Sequence, residues 1–181
     1  MNHTRNLVFA SLFTALMIVG SYIRIPVGPV PIVLATMFVL LSGLLLELKW
    51  ACAAVGMYLF LGAIGLPVFS SGAGIAYFLG PTGGYLVGYL AAAITANLLS
   101  SKRATGGGAL LYDTVAVTAA TAVIYVPGIP WLKASLDMSW SESFAVGLMP
   151  FIPGDLIKAI LVISAAAVLR NRFPELVPRK T

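Results

Sequence analysis

Charge is what this chain has least of. Only 9% of its 181 residues are Asp, Glu, Lys or Arg, against about 25% in a soluble domain, and 60% are hydrophobic. That balance excludes a soluble globule and identifies an integral membrane protein. Cysteine is nearly absent. Cys52 alone supports neither a disulfide framework nor a cysteine zinc site, and within an apolar run it reads as a small buried hydrophobe. The single histidine, His3, supports no metal centre.

Catalytic and nucleotide motifs are missing as well. No glycine run continues into G-K-[ST], and Gly72-Ala73-Gly74 lacks the third glycine of a dinucleotide fingerprint. No nucleotide site is expected, so any ATP-driven step belongs to another chain. No Ser/His/Asp set, paired carboxylates or H-E-x-x-H is present, so an enzyme is not expected. The net charge of +5 does not indicate nucleic acid, because the basic residues lie at the ends of apolar segments without interleaved aromatics. The first apolar run, Leu7 to Ile25, is long enough to span and has no A-x-A site after it, so no cleavable signal is expected.

What the chain does have is six apolar segments. They cover about Asn6 to Ile25, Ile32 to Leu48, Trp50 to Val68, Gly83 to Leu99 and Ala109 to Val126, and a last one opening near Pro153 with its apolar body from Leu156 to Leu169. At about 20 residues per span, this predicts an all-α, six-helix transmembrane protein forming a single domain over 1–181. Pro26-Val27-Gly28-Pro29-Val30-Pro31 reads as a stiff turn, Ser70 to Gly74 as a loop, and Pro127 to Met149 as a longer connection. With six spans, one side holds eight basic residues: Arg5, Lys49, Lys102, Arg103, Arg170, Arg172, Arg179 and Lys180. The other holds Arg24 and Lys133, so both termini are expected in the cytoplasm.

Three loops and the start of the last helix then converge on the outer face. That start reads Pro150-Phe151-Ile152-Pro153-Gly154-Asp155-Leu156-Ile157-Lys158-Ala159. Proline suits a first helical turn, and a carboxylate there meets the positive end of the macrodipole. Asp155 and Lys158, three apart, share a face. A charge at mid-bilayer costs about 2.5–3.5 kcal/mol on insertion scales, so such residues face a partner or a cavity. A mutually neutralised structural pair and a ligand site both fit this spacing; the convergence of irregular loops favours the site.

Gly80-Pro81-Thr82-Gly83-Gly84-Tyr85 is the second unusual stretch. Glycines 80, 84 and 88 make overlapping G-x-x-x-G spacings that allow close backbone approach, and Thr82 and Tyr85 bring hydroxyls to a cavity mouth. In the first segment, Ala10 and Thr14, and likewise Ser11 and Ala15, form a stripe of small residues suited to packing against a helix of this chain or a partner. Asp113 is expected to pair with Lys102 or Arg103.

At the Gly80–Tyr85 and Pro150–Ala159 stretches the chain resembles the BioY family, the biotin-specific substrate-binding (S) components of energy-coupling-factor (ECF) transporters. The resemblance extends over most of the chain, including Pro26…Pro29-Val30-Pro31-Ile32 and Phe38-Val39-Leu40-Leu41-Ser42-Gly43. It implies a six-helix S component that captures biotin from outside. It also implies partnership with a transmembrane coupling subunit and two ATPase subunits in the cell membrane. It assigns biotin to Asp155 and Lys158, and the coupling subunit to Ala10, Ser11, Thr14 and Ala15. Tyr77, Tyr85 and Phe151 are expected as apolar walls, with Gly80, Thr82 and Gly83 beside them. Two departures stand out. Ala35-Thr36 replaces the usual Gln-Thr, and Ser70-Ser71-Gly72-Ala73-Gly74 replaces GG-x-GG. They leave the biotin carboxylate without an assigned partner, and Arg24 is one candidate. The alternatives are an S component for another vitamin such as cationic thiamine, an intramembrane enzyme using Asp155 as base, and a structural membrane subunit.

Overall fold

A computed structural model describes residues 3–100 and 107–172. Lys102, Arg103, Arg179 and Lys180, half of the basic residues counted on one side, lie outside that range, as does any pairing of Asp113 with the first two. Among the described residues, six helices have eleven residues or more. They are α1 (His3–Tyr22), α2 (Ala35–Leu45), α3 (Leu48–Ala63), α5 (Gly83–Leu99), α6 (Gly107–Leu136) and α8 (Ile152–Arg172). Three of them, α1, α6 and α8, are each long and apolar enough to cross a membrane. Two short helices lie outside the six predicted segments: α4 (Ile75–Leu79) follows the Ser70–Gly74 loop, and α7 (Trp140–Gly147) lies within the Pro127–Met149 connection. At α7 a capping box starts the helix: the Ser139 side chain accepts from the Glu142 N–H, and the Glu142 carboxylate accepts from the Ser139 N–H.

The protein is built around α2, which buries eight of its eleven residues. At about 16 Å it is shorter than a bilayer core, and the space before it is filled by a hairpin. Strands β1 (Arg24–Ile25) and β2 (Ile32–Val33) pair antiparallel, Arg24 opposite Val33, with Gly28 at φ 71° in the turn. Pro26, Pro29 and Pro31 keep this segment out of a helix, so α2 begins at Ala35 and not at Ile32. The Leu34 N–H donates to the Gly20 and Ile23 carbonyls, tying the hairpin's exit to the end of α1.

Glycines set the closest helix contacts. A Cβ at Gly84 would lie 2.4 Å from the Pro127 carbonyl oxygen, and one at Gly88 would lie 2.8 Å from that of Ile124, so α5 and α6 touch backbone to backbone. Gly43 fits α2 against Ala93 and Ala96 of α5 in the same way. This packing carries α6 through Pro127 and Pro130 to Leu136, where the sequence predicts an end at Val126. The prolines cannot donate to the carbonyls four residues back, but the glycine contacts and a Trp131 Nε1 bond to the Gly80 carbonyl (2.9 Å) hold the extension. A 30-residue helix measures about 45 Å, beyond the roughly 30 Å hydrocarbon core.

One end of the bundle gathers Arg5, Lys49 and Arg170 near α1, α3 and α8. His3 packs on Trp50 there, and Asn97 Nδ2 donates to the Gly43 and Leu46 carbonyls that end α2. Among the described residues Asp113 pairs with Arg170, whose Nη2 also donates to the Leu44 carbonyl (3.0 Å). Arg24, Gly80, Trp131 and the start of α8 lie at the opposite end.

The stripe on α1 divides. Ala10 and Thr14 are buried, and the Thr14 hydroxyl donates to the Ala54 carbonyl of α3 (3.0 Å), so these two take part in packing within the chain. Ser11 and Ala15, one residue further on and about 100° around the helix, are exposed.

Candidate functional site

Helix α8 buries Lys158, Val162 and Ala166, residues four apart that form one inward stripe. The hairpin and the first turn of α2 lie against its upper end. Asp155 and Lys158 meet there in an ion pair, Nζ to Oδ1 2.9 Å, with side chains only 16% and 8% exposed. Lys158 Nζ also donates to Thr36 Oγ1 (2.9 Å) and to the Val33 carbonyl (3.3 Å). The other Asp155 oxygen accepts from the Tyr125 hydroxyl of α6. One carboxylate and one ammonium thus join α8, α6, α2 and the hairpin. A buried charge is tolerable only with such partners.

Aromatic rings surround the cluster. Tyr85 stacks on Phe151 at 6.3 Å, Tyr125 meets both edge-on, and the Tyr85 hydroxyl donates to the Gly147 carbonyl (2.9 Å). Below the hairpin lie two small cavities of about 40 and 30 Å³. Asp155, Lys158, Thr36 and Tyr125 line the first. Ser21, Tyr58, Ser70, Tyr77 and Thr82 line the second. Val30, Pro31, Val33, Tyr85 and Tyr89 border both.

A larger cavity, about 610 Å³, is elsewhere, in a groove between α6, α7 and α8. It reaches the outer side of Tyr125 and Asp155, but exposed Val126, Trp140, Ile152 and Leu156 form its walls, so it opens sideways onto the apolar surface. A polar ligand gains little from such walls, and the small inner cavities carry the hydrogen-bonding groups.

The residues singled out from sequence separate into groups. Asp155, Lys158, Tyr85 and Phe151 come together around the first cavity, and Tyr77 and Thr82 line the second. Gly80 instead uses its carbonyl to hold Trp131, and Gly83 packs where a Cβ would lie 1.7 Å from the Phe78 carbonyl oxygen. These two glycines therefore serve backbone packing and line neither cavity. Arg24 is exposed and donates to the Ser70 carbonyl and the Ser71 hydroxyl, away from the Asp155 cluster.

Three participants escaped the sequence argument: Thr36, Tyr125 and Tyr89. A phenol inside an apolar segment needs a partner, which is the available signal for both tyrosines. Thr36 had none, because its partner Lys158 lies 122 residues away.

Comparison with known proteins places these features in context. The sequence model of the BioY family matches residues 1–175. A protein of Thermotoga maritima called biotin transporter BioY is 41% identical over 167 residues, covering 92% of this chain and 95% of its own. One of Rhizobium etli with the same name is 36% identical over 185 residues, covering 97% and 98%. Among solved structures, the crystal structure of the S component for biotin from an ECF-type ABC transporter matches with TM-score 0.85 and 31% identity. It covers 98% of this chain and 100% of that one.

Proposed function

This chain belongs to the BioY family, and from that premise we propose that it is the membrane-embedded S component that captures biotin for uptake. It is a transporter component and not an enzyme. The observation that carries the reading is the Asp155–Lys158–Thr36–Tyr125 cluster, a hydrogen-bonded ion pair enclosed by aromatic rings in an otherwise apolar bundle. Biotin's ureido ring presents two N–H donors and a carbonyl, and a carboxylate in a dry site is a strong acceptor for such donors. Thiamine is a cation, and the one carboxylate here is already neutralised by Lys158, which disfavours it. Equilibrium binding of labelled biotin to the purified chain tests the reading. Saturable binding that excess thiamine does not displace is the expected result, and no retention of biotin refutes it.

In this reading six apolar segments cross the cell membrane, α2 together with the hairpin before it, and both termini lie in the cytoplasm, so that the hairpin and the Asp155 cluster face outside. In a variant with Cys52→Ala, a cysteine at Ser141 on α7 then reacts with an impermeant thiol reagent in intact cells, and one at Lys49 does not. The reverse pattern overturns the orientation. ATP is hydrolysed by the two ATPase subunits of an ECF module, joined to this chain through a transmembrane coupling subunit. The exposed pair Ser11 and Ala15 is the part of the small-residue stripe left to receive the coupling subunit.

A further inference from the structure

The groove between α6, α7 and α8 lies behind the ion-pair cluster and has a different chemistry. Its lining on α6 runs from Thr118 to Pro130, about 18 Å along the helix axis. That is a little over half of a hydrocarbon core of roughly 30 Å, the depth that the chains of one leaflet occupy. Thr118, Ala122 and Ala159 are small and leave the space, while Leu156 of α8 and Trp140 and Phe144 of α7 bound it with exposed apolar side chains. Among the described residues, its ionisable lining groups, Tyr125 and Asp155, are bonded to each other at the inner wall. At about 610 Å³ the hollow has the size of a ligand site, and its open side faces the apolar surface. Left empty, its walls would forfeit their dispersion contacts, so an apolar chain is the fitting occupant.

One end of the groove is charged. Lys133, in the last turn of α6, holds its ammonium 5.5 Å from the centre of the Trp140 ring, and Trp140 is part of the groove wall. Among the described residues, no carboxylate lies within ion-pair distance of Lys133. Asp137 and Glu142, both exposed, flank Trp140 in sequence. The turn from α6 into α7 therefore carries one ammonium and two carboxylates. A phosphate answers the first and a second ammonium answers the others, whereas a lipid of net negative charge is repelled by the two carboxylates.

We propose that this groove is a binding site for a zwitterionic phospholipid of the surrounding membrane. An acyl chain lies between α6 and α8, the phosphate meets Lys133, and the lipid's ammonium turns toward Asp137 and Glu142. The inference rests on the membrane class of the chain and not on the biotin reading.

The test titrates the full chain, stripped of lipid in detergent, with phosphatidylethanolamine, phosphatidylglycerol and diacylglycerol of the same acyl chains, and counts bound lipid by native mass spectrometry. The wild-type protein binds one phosphatidylethanolamine, more tightly than either of the others. Leu156→Trp and Ala122→Trp, which fill the groove from opposite walls, each weaken it by at least about tenfold, and Val87→Trp on the exposed face of α5 does not. Lys133→Gln, a surface change that spares the helix packing, weakens phosphatidylethanolamine by about fivefold and diacylglycerol by less than about twofold. Asp137→Asn narrows the gap between phosphatidylethanolamine and phosphatidylglycerol. Phosphatidylglycerol or diacylglycerol bound as tightly as phosphatidylethanolamine overturns the proposal. Retention of the lipid by both groove-filling variants overturns it too, because the lipid then sits elsewhere. A wild-type dimer that Leu156→Trp converts to a monomer makes the groove an interface between copies and is equally fatal. None of these readouts involves biotin, so their failure leaves the biotin reading intact.

Discussion

Asp155→Asn separates the charge of this site from its shape. The side chain keeps its size, so the amide oxygen can still face Lys158 and the NH₂ group can donate to the Tyr125 oxygen. The negative charge that would receive the ligand's N–H groups is lost. A hydrogen bond to a charged group contributes about 1.5–3 kcal/mol and a neutral one about 0.5–1.5. The difference for a single ligand N–H is about 1.4 kcal/mol, or tenfold in Kd. The same substitution strands the Lys158 ammonium, whose side chain is 8% exposed. An unpaired buried charge costs about 3–5 kcal/mol, reduced here because Thr36 and the Val33 carbonyl still accept from Nζ. Affinity and stability should therefore both fall, and a second substitution separates them. Adding Lys158→Met removes the stranded charge and recovers thermal stability, while the affinity stays low. The assay is isothermal titration with biotin on monodisperse protein in detergent or nanodiscs, beside a thermal unfolding curve for each variant. A folded Asp155→Asn protein with Kd within twofold of wild type would sink the argument and return the pair to a structural role.

Other substitutions test the packing and surfaces around the site. Gly84→Ala places a methyl 2.4 Å from the Pro127 carbonyl oxygen, which cannot swing aside, and is expected to cost at least about 1–3 kcal/mol. Gly56→Ala, inside α3 with nothing within 4 Å, should not lower the unfolding temperature, and equal losses in the two variants would refute the backbone-contact reading. The double variant Ser11→Trp, Ala15→Trp should bind biotin normally and fail to copurify with the coupling subunit; copurification at wild-type yield would rule out this face. Ala10→Trp should instead lower stability, because Ala10 is only 5% exposed. Leu156→Trp fills the outer groove from an exposed position and should leave the biotin Kd unchanged, whereas a tenfold loss would move the ligand into that groove.

Much of this protein is written in local sequence. Low charge and long apolar runs determine the membrane class by themselves, because each span must be apolar along its own length. The interval of three between Asp155 and Lys158 fixes their common face through helix geometry alone, and the ion pair follows. Glycines 84 and 88 likewise announce a close approach without naming the helix, which proves to be α6. What depended on distant chain segments was not legible. Thr36 completes the Lys158 coordination from 122 residues away, and Tyr125 reaches Asp155 from 30 away, through contacts that no local spacing encodes. The small residues of α1 lie on two faces about 100° apart, and only packing against α3 decided that Ala10 and Thr14 turn inward and Ser11 and Ala15 outward. The prolines at 127 and 130 were a local signal to end a helix. Backbone contact with α5 outweighed it, because a helix end is settled by the balance of its lost hydrogen bonds against all of its tertiary contacts.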